Sequence, residues 1–311
     1  MDLMRLIAKR RERTMNRQTL VLGAFAACVF VAPAFAAEGV PDMLNVFWGK
    51  NTFNFESMPA GAPALRNLSR LPNGQSNAGQ QVGDYSNPIL KPEAAATVKA
   101  KGELAKAGGF PNSQDQCRML QPPFSSAMTL GLTMLTLKNG NLIVATDRNS
   151  NMRYVRMNAS HPANLKPTPM GDAVGRWDGD TLVIDTVGIR VDQFTAIDRF
   201  GTPQSDQMHV VERYRLIDGP TAKARADAFE KAEGTVGGGG RDAGYSTDTT
   251  LKGLELQLTM DDPKVLTGPW TVRVTYRRLN TVWAENVCAD NPVEHYKDEW
   301  IGLPRAERAD F

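Results

Sequence analysis

The stretch Val174-Gly175-Arg176-Trp177-Asp178-Gly179-Asp180-Thr181-Leu182-Val183-Ile184-Asp185-Thr186 narrows the fold more than any other part of the chain. It reads as strand, tight turn, strand. Asp178-Gly179-Asp180 supplies the turn, because glycine tolerates the positive φ that a two-residue hairpin loop requires. Thr181 to Val187 is rich in β-branched residues, which suit a pleated, half-buried surface. An arginine, a tryptophan and two aspartates crowd this turn. They admit two readings. One is a structural corner, with Trp177 filling a gap and Arg176 paired to an acid across the ladder. The other is the mouth of a pocket.

The same texture runs on from Cys117. Met128 to Leu137, Leu142 to Asp147 and Met152 to Met157 read as strands separated by Lys138-Asn139-Gly140-Asn141 and Arg148-Asn149-Ser150-Asn151 turns. Met208 to Ile217 follows the hairpin. Leu254, Leu256, Leu258 and Met260 alternate with Glu255, Gln257 and Thr259, and Trp270, Val272, Val274 and Tyr276 alternate likewise. Thr281 to Cys288 closes the series. Short alternating strands at hairpin spacing predict an antiparallel β-barrel or sandwich, lipocalin-like in outline. About eight strands suffice to close a barrel around one small ligand.

Outside the strands the sequence is irregular. Residues 37–116 form a wrapping segment with one helix, Pro92 to Ala107, begun by proline and stopped by Gly108-Gly109. Asn45-Val46-Phe47-Trp48 reads as an apolar flap docked on the body. A surface excursion at 219–250 contains a helix-compatible run, Thr221 to Glu233, and the tetraglycine Gly237-Gly238-Gly239-Gly240. One β domain, 117–311, is the simplest count.

The first 36 residues have the order of a secretory signal peptide: a basic region, an apolar run from Leu20 to Ala32, then Ala34-Phe35-Ala36. Cleavage is expected after Ala36. Met15 is an alternative start, and Cys28 lies in a lipoprotein-like box whose following residues are apolar where a tether is polar. The run is too short to span a bilayer. Without the leader's six basic and two acidic residues, the 36 basic and 34 acidic residues of the chain become 30 and 32, a net of −2. No basic patch argues for nucleic acid. A periplasmic location follows. Cys117 and Cys288 then remain as a single pair in an oxidising compartment and are expected to form a disulfide. Closing so long a loop constrains the unfolded chain by roughly 4–5 kcal/mol in the entropy model.

Glu212 is the most informative candidate for chemistry. It shares a strand face with Val210, Tyr214 and Leu216, while His209, Val211, Arg213 and Arg215 occupy the other. A carboxylate facing an apolar interior is costly unless paired or neutral, and such an environment tunes a general acid or base. Tyr214 and His161 are candidate acids, His161 in a loop where catalytic groups are often presented. Arg176 is expected beside Glu212 or Asp180. Trp177, Arg153 and Tyr154 are the expected substrate contacts. The three histidines are not spaced as metal ligands. No G-x-S-x-G, G-x-G-x-x-G or P-loop occurs, so neither a hydrolase elbow nor a nucleotide cofactor is expected.

The hairpin, Ser205-Asp206 leading to Val211-Glu212-Arg213-Tyr214, Asp261-Asp262-Pro263, Pro269-Trp270 and Ala284-Glu285-Asn286-Val287-Cys288 together resemble a family of secreted bacterial β-rich proteins. Its members abound in degraders of plant aromatics and steroids. The resemblance spans roughly Cys117 to Cys288. Where family members carry Asp-Gly-Arg-x-His-Pro, this chain has Asn158-Ala159-Ser160-His161-Pro162. The resemblance implies a β-rich periplasmic protein and fixes no reaction. The residues point to a cofactor-free enzyme acting on a hydrophobic, aromatic small molecule, and the resemblance, through the family's hosts, implies a lignin-derived dimer. Glu212 would be its base, in a lyase losing water or formaldehyde or in an isomerase. Two rivals are a lipocalin-like carrier of aromatic or steroid-like compounds and a cell-envelope interaction module.

Overall fold

Among the described residues ten strands form one sheet, and nine of them close into a barrel. The computed structural model describes residues 42–108, 118–148, 151–234, 246 and 248–280. All lie in one compact unit, 39–311. The leader, Cys28, Cys117, Cys288, the tetraglycine and the expected strand Thr281 to Cys288 lie outside the described residues.

The strands are β1 (Phe47–Gly49), β2 (Glu56–Ser57), β3 (Gly131–Thr136), β4 (Leu142–Thr146), β5 (Met152–Met157), β6 (Asp172–Asp178), β7 (Thr181–Val187), β8 (His209–Ile217), β9 (Gly253–Asp261) and β10 (Trp270–Arg278). From β3 to β10 each pairs with the next. Every one of these pairings is antiparallel except β5 with β6, where Val155 lies beside Ala173 in a parallel register. The expected antiparallel barrel is therefore mixed. The Pro-rich connection 158–171 is long enough for the crossover that a parallel pair needs. At the hairpin, Gly179 takes φ 61°, as its place in the turn requires.

The Asn45–Trp48 stretch is not a flap. Trp48 of β1 faces Leu132 on β3 and Arg278 on β10, so β1 is the strand that closes the barrel. Closure removes the open edges that would otherwise seek partners. The neighbouring β2 adds to β10, and its buried Glu56 accepts from Arg273 Nε at 3.0 Å and from the Thr275 amide at 2.8 Å.

Among the described residues three helices accompany the sheet: α1 (Pro92–Ala107), α2 (Phe124–Met128) and α3 (Gly219–Glu233). The first has the bounds read from sequence. The last starts two residues earlier than expected, because Asp218 caps it by accepting from the Thr221 amide. None is long and apolar enough to cross a membrane.

The barrel interior is filled by register. Ala173, Thr186, Val210, Met260 and Trp270 form one cross-strand row. Gly175, Ile184, Glu212, Leu258 and Val272 form the next, and Trp177, Leu182, Tyr214, Leu256 and Val274 the third. Each fully buried leucine here contributes about 1.5–3 kcal/mol of transfer free energy. Gly175 is required by close approach: a Cβ there would lie 2.5 Å from Met157 Sδ and 2.9 Å from Val155 Cγ1, across the parallel seam. The short α2 packs in a separate apolar cluster with Phe53, Leu120 and Leu130.

Candidate functional site

Strand β8 carries Glu212 and Tyr214 on its inner face, as their alternation predicts. Glu212 is 1% exposed. The Tyr214 hydroxyl donates to Glu212 Oε1 at 2.8 Å. The cation beside the carboxylate is Arg153, whose Nη2 lies 2.5 Å from Glu212 Oε2. Arg153 Nη1 donates to the Thr186 hydroxyl at 3.3 Å. Strands β5 and β7 thus each supply one inward polar side chain, and β8 two, to a single buried group.

The electrostatics of the group are mutual. Burial works against the Arg153 charge, but Glu212 and Tyr214 outweigh it and raise the guanidinium above its ordinary pKa. Burial and then the Glu212 carboxylate push the Tyr214 phenol well above its ordinary value, so it remains a hydrogen-bond donor. Tyr276 is raised too, by burial first and Glu212 second. Arg153, expected as a substrate contact, takes from a different strand the place beside Glu212 expected of Arg176. Arg176 lies opposite Val183 on the outer face and is exposed, because inner positions of β6 fall on Gly175 and Trp177. Asp180 is exposed in the turn, accepting from the Thr181 hydroxyl at 3.2 Å.

A cavity of about 20 Å³ adjoins this group, enough for one or two waters. Its walls combine Leu132, Val144, Tyr276 and Met170 with Thr146, Asn151, Arg153 and Glu212, and Ser125 and Ser126 of α2 cap it. The cap is latched from below. Lys50 Nζ donates to the Thr52 and Ala127 carbonyls at 2.5 and 2.7 Å. Burial lowers its pKa to about 7 against the opposing pull of Asp147 and Glu56.

His161 does not join Glu212. It sits on the outer wall, with Nδ1 2.6 Å from Asp172 Oδ2 and Nε2 3.1 Å from Asp185 Oδ1. His209 Nε2 approaches the same Asp185 oxygen at 2.9 Å. Arg156 Nη2 donates to both oxygens of Asp172, at 3.0 and 2.8 Å. Asp185 alternates with the inward Ile184 and Thr186, so a side chain reaching it must come from outside. Tyr154 is likewise outside, 48% exposed, with its hydroxyl accepting from Asn141 Nδ2 at 2.5 Å. Trp177 points inward but packs on the core and does not line the cavity.

Of the expected site residues, Glu212, Tyr214 and Arg153 come together. Thr186, Asn151 and Thr146 were not anticipated. Thr186 was findable, since it shares the inward face with Leu182 and Ile184, and so was Thr146, in phase with Leu142 and Val144 at the end of β4; Asn151 lies in the turn before β5, where alternation gives no signal. Among the described residues no group of three or more His, Cys, Asp or Glu is placed to hold a metal ion. No family model, no curated protein and no solved structure matches the chain.

Proposed function

We propose that this protein is an exported, periplasmic, cofactor-independent enzyme that acts on a hydrophobic, aromatic small molecule by proton transfer within the barrel, as a lyase or isomerase. The observation that carries this reading is a buried carboxylate, paired with Arg153, on the wall of an otherwise mainly apolar cavity. Glu212 is the base. Glu212 lines the cavity, Oε2 is paired with Arg153, and Tyr214 fixes Oε1. Arg153 stays charged throughout and steadies negative charge as it develops on a substrate oxygen or carbon.

The chemistry closes on these residues. In loss of water, Glu212 takes a proton from carbon, the electron pair forms the double bond, and the departing hydroxide recovers that proton. In loss of formaldehyde, Glu212 takes the hydroxyl proton, the C–O bond becomes C=O as the C–C bond breaks, and the same proton quenches the carbon. Either way the site ends as it began. His161 has no part in this scheme. Lignin-derived dimers are the substrates to try first, on the strength of the sequence resemblance.

The rival is a carrier of aromatic or steroid-like compounds without turnover. It is favoured by the 2.5 Å pairing of Glu212 with Arg153, which on its own would serve only to fix the barrel. Glu212→Gln separates the two. General acid–base groups contribute about 10²–10⁴-fold in rate. The variant should stay folded and bind ligand while turnover of the dimers, followed by mass, falls at least about a hundredfold. Undiminished turnover per folded molecule would remove Glu212 from the chemistry, and no conversion of any dimer by the wild type would leave the carrier.

A further inference from the structure

The cavity beside Glu212 has a one-sided hydrogen-bonding character. Three buried oxygens on residues that line it have no aligned hydrogen-bond donor: Thr146 Oγ1, Asn151 Oδ1 and Glu212 Oε2. Asn151 is 3% exposed, and its Nδ2 donates to the Leu120 carbonyl at 3.4 Å, which fixes the amide so that Oδ1 is the end left over. Glu212 Oε2 meets Arg153 as a charge, but the contact lacks hydrogen-bond alignment. Two of the three oxygens can only accept, and the threonine hydroxyl can accept as well. Buried polar groups left without partners are costly, so three around one cavity point to something that completes them.

We propose that the cavity selects a neutral molecule through a hydroxyl group, alcoholic or phenolic, that shares its one hydrogen between Asn151 Oδ1 and Glu212 Oε2 and accepts from the Thr146 hydroxyl. This rests on the reading of the cavity as the substrate site. The selection follows from the chemistry of the lining. A carboxylate or phosphate brings lone pairs and a second negative charge to oxygens that are already acceptors. A ketone or ether brings lone pairs alone. A cation meets Arg153, and the Glu212 charge is already balanced. A neutral O–H offers its hydrogen to the two acceptors, takes one from the Thr146 hydroxyl, and adds no charge. Leu132, Val144 and Tyr276 then face the carbon skeleton, and a ring larger than the present space displaces the cap at Pro122 and α2. The placement also sets the hydroxyl hydrogen against the proposed base.

Phenol, methoxybenzene and benzoate, matched in ring and different in this one group, test the idea by calorimetric titration of the full-length folded protein. Phenol should bind, methoxybenzene at least about tenfold more weakly, and benzoate without detectable affinity. Asn151→Leu should weaken phenol about tenfold and leave methoxybenzene unchanged. If that variant fails to fold, Thr146→Val should narrow the difference between the two. Equal affinity for phenol and methoxybenzene, or no binding of phenol, would overturn the proposal and assign the cavity to water. Phenol binding with unimpaired turnover in Glu212→Gln would leave it standing while ending the proposed role of Glu212. Turnover of hydroxyl-free compounds by a protein that ignores phenol would do the reverse.

Discussion

Two charged clusters sit on opposite sides of the same wall, one residue apart along β7. Inside, Thr186 joins Arg153, Glu212 and Tyr214. Outside, Asp185 joins His161, His209 and, through Asp172, Arg156. The distances are similar and so are the residue types. What differs is water. The inner arginine and glutamate are almost wholly buried, whereas the outer side chains are 20–43% exposed. The outer network binds the parallel seam and its crossover loop by linking β5, β6, β7 and β8, and solvent screens each of its pairs. The inner group has no such screening, and it leaves acceptors open on a cavity. Geometry alone would rank the two as equal candidates for chemistry; burial separates them.

Deleting one cation from each cluster is the sharpest way to break this contrast. Arg153→Met strands a buried carboxylate and should cost about 3–5 kcal/mol, seen as a lowered denaturant midpoint. Arg156→Met should cost no more than about 1 kcal/mol, and less in high salt. Equal losses would mean that the inner pair is not isolated from water. Next in size is Gly175→Ala, which drives a methyl into Met157 and Val155 at the seam both clusters share. An overpacked core site of this kind loses about 1–3 kcal/mol. A melting temperature within error of wild type would show that the seam yields freely.

The smallest effect belongs to pH and to the outer cluster. Its hydrogen bond to Asp185, against the opposing pull of burial, raises His209 above its ordinary 6.5, with Asp185 and Asp261 adding charge. That contribution is fully present below about pH 6.5 and is lost as pH rises through the raised value. Asp185 is held below its ordinary 3.8, chiefly by the hydrogen bond from His209, against burial and with help from His161. Its contribution is present above pH 3.8 and is lost as pH falls through the lowered value. The pair therefore stabilises most between about pH 4 and 6.5, and Asp185→Asn should lower the melting temperature there by about 1–4 °C. A larger drop at pH 8.5 than at pH 5.5 would contradict the assignment.

Alternation made most of the barrel legible. A period of two fixes which side chains face inward once one face is apolar, and so Glu212 and Tyr214 were placed correctly from Val210 and Leu216 alone. The same logic could not choose the partner of Glu212. Arg176 and Arg153 both sit in alternating strands, and only the register between strands decides which of them faces in. Glycine at 175 hid the inward phase of β6, because a residue without a side chain carries no polarity to read. His161 drew attention as a loop histidine, but a loop can fold back on either side of a wall. The closing strand was misjudged for a different reason: three residues are too few to show a period.

That closing strand sets the order in which the molecule can be completed. The barrel's last seam joins Trp48 to Arg278, partners separated by most of the chain. A growing polypeptide offers β1 first and β10 last, so β1 and β3 to β10 must be laid down as an open sheet before the ring can shut. Non-local pairing of this kind is slow, and until it happens both β1 and β10 expose bare edges to neighbouring chains. Three residues, paired on both sides, therefore decide when a newly made molecule ceases to be adhesive.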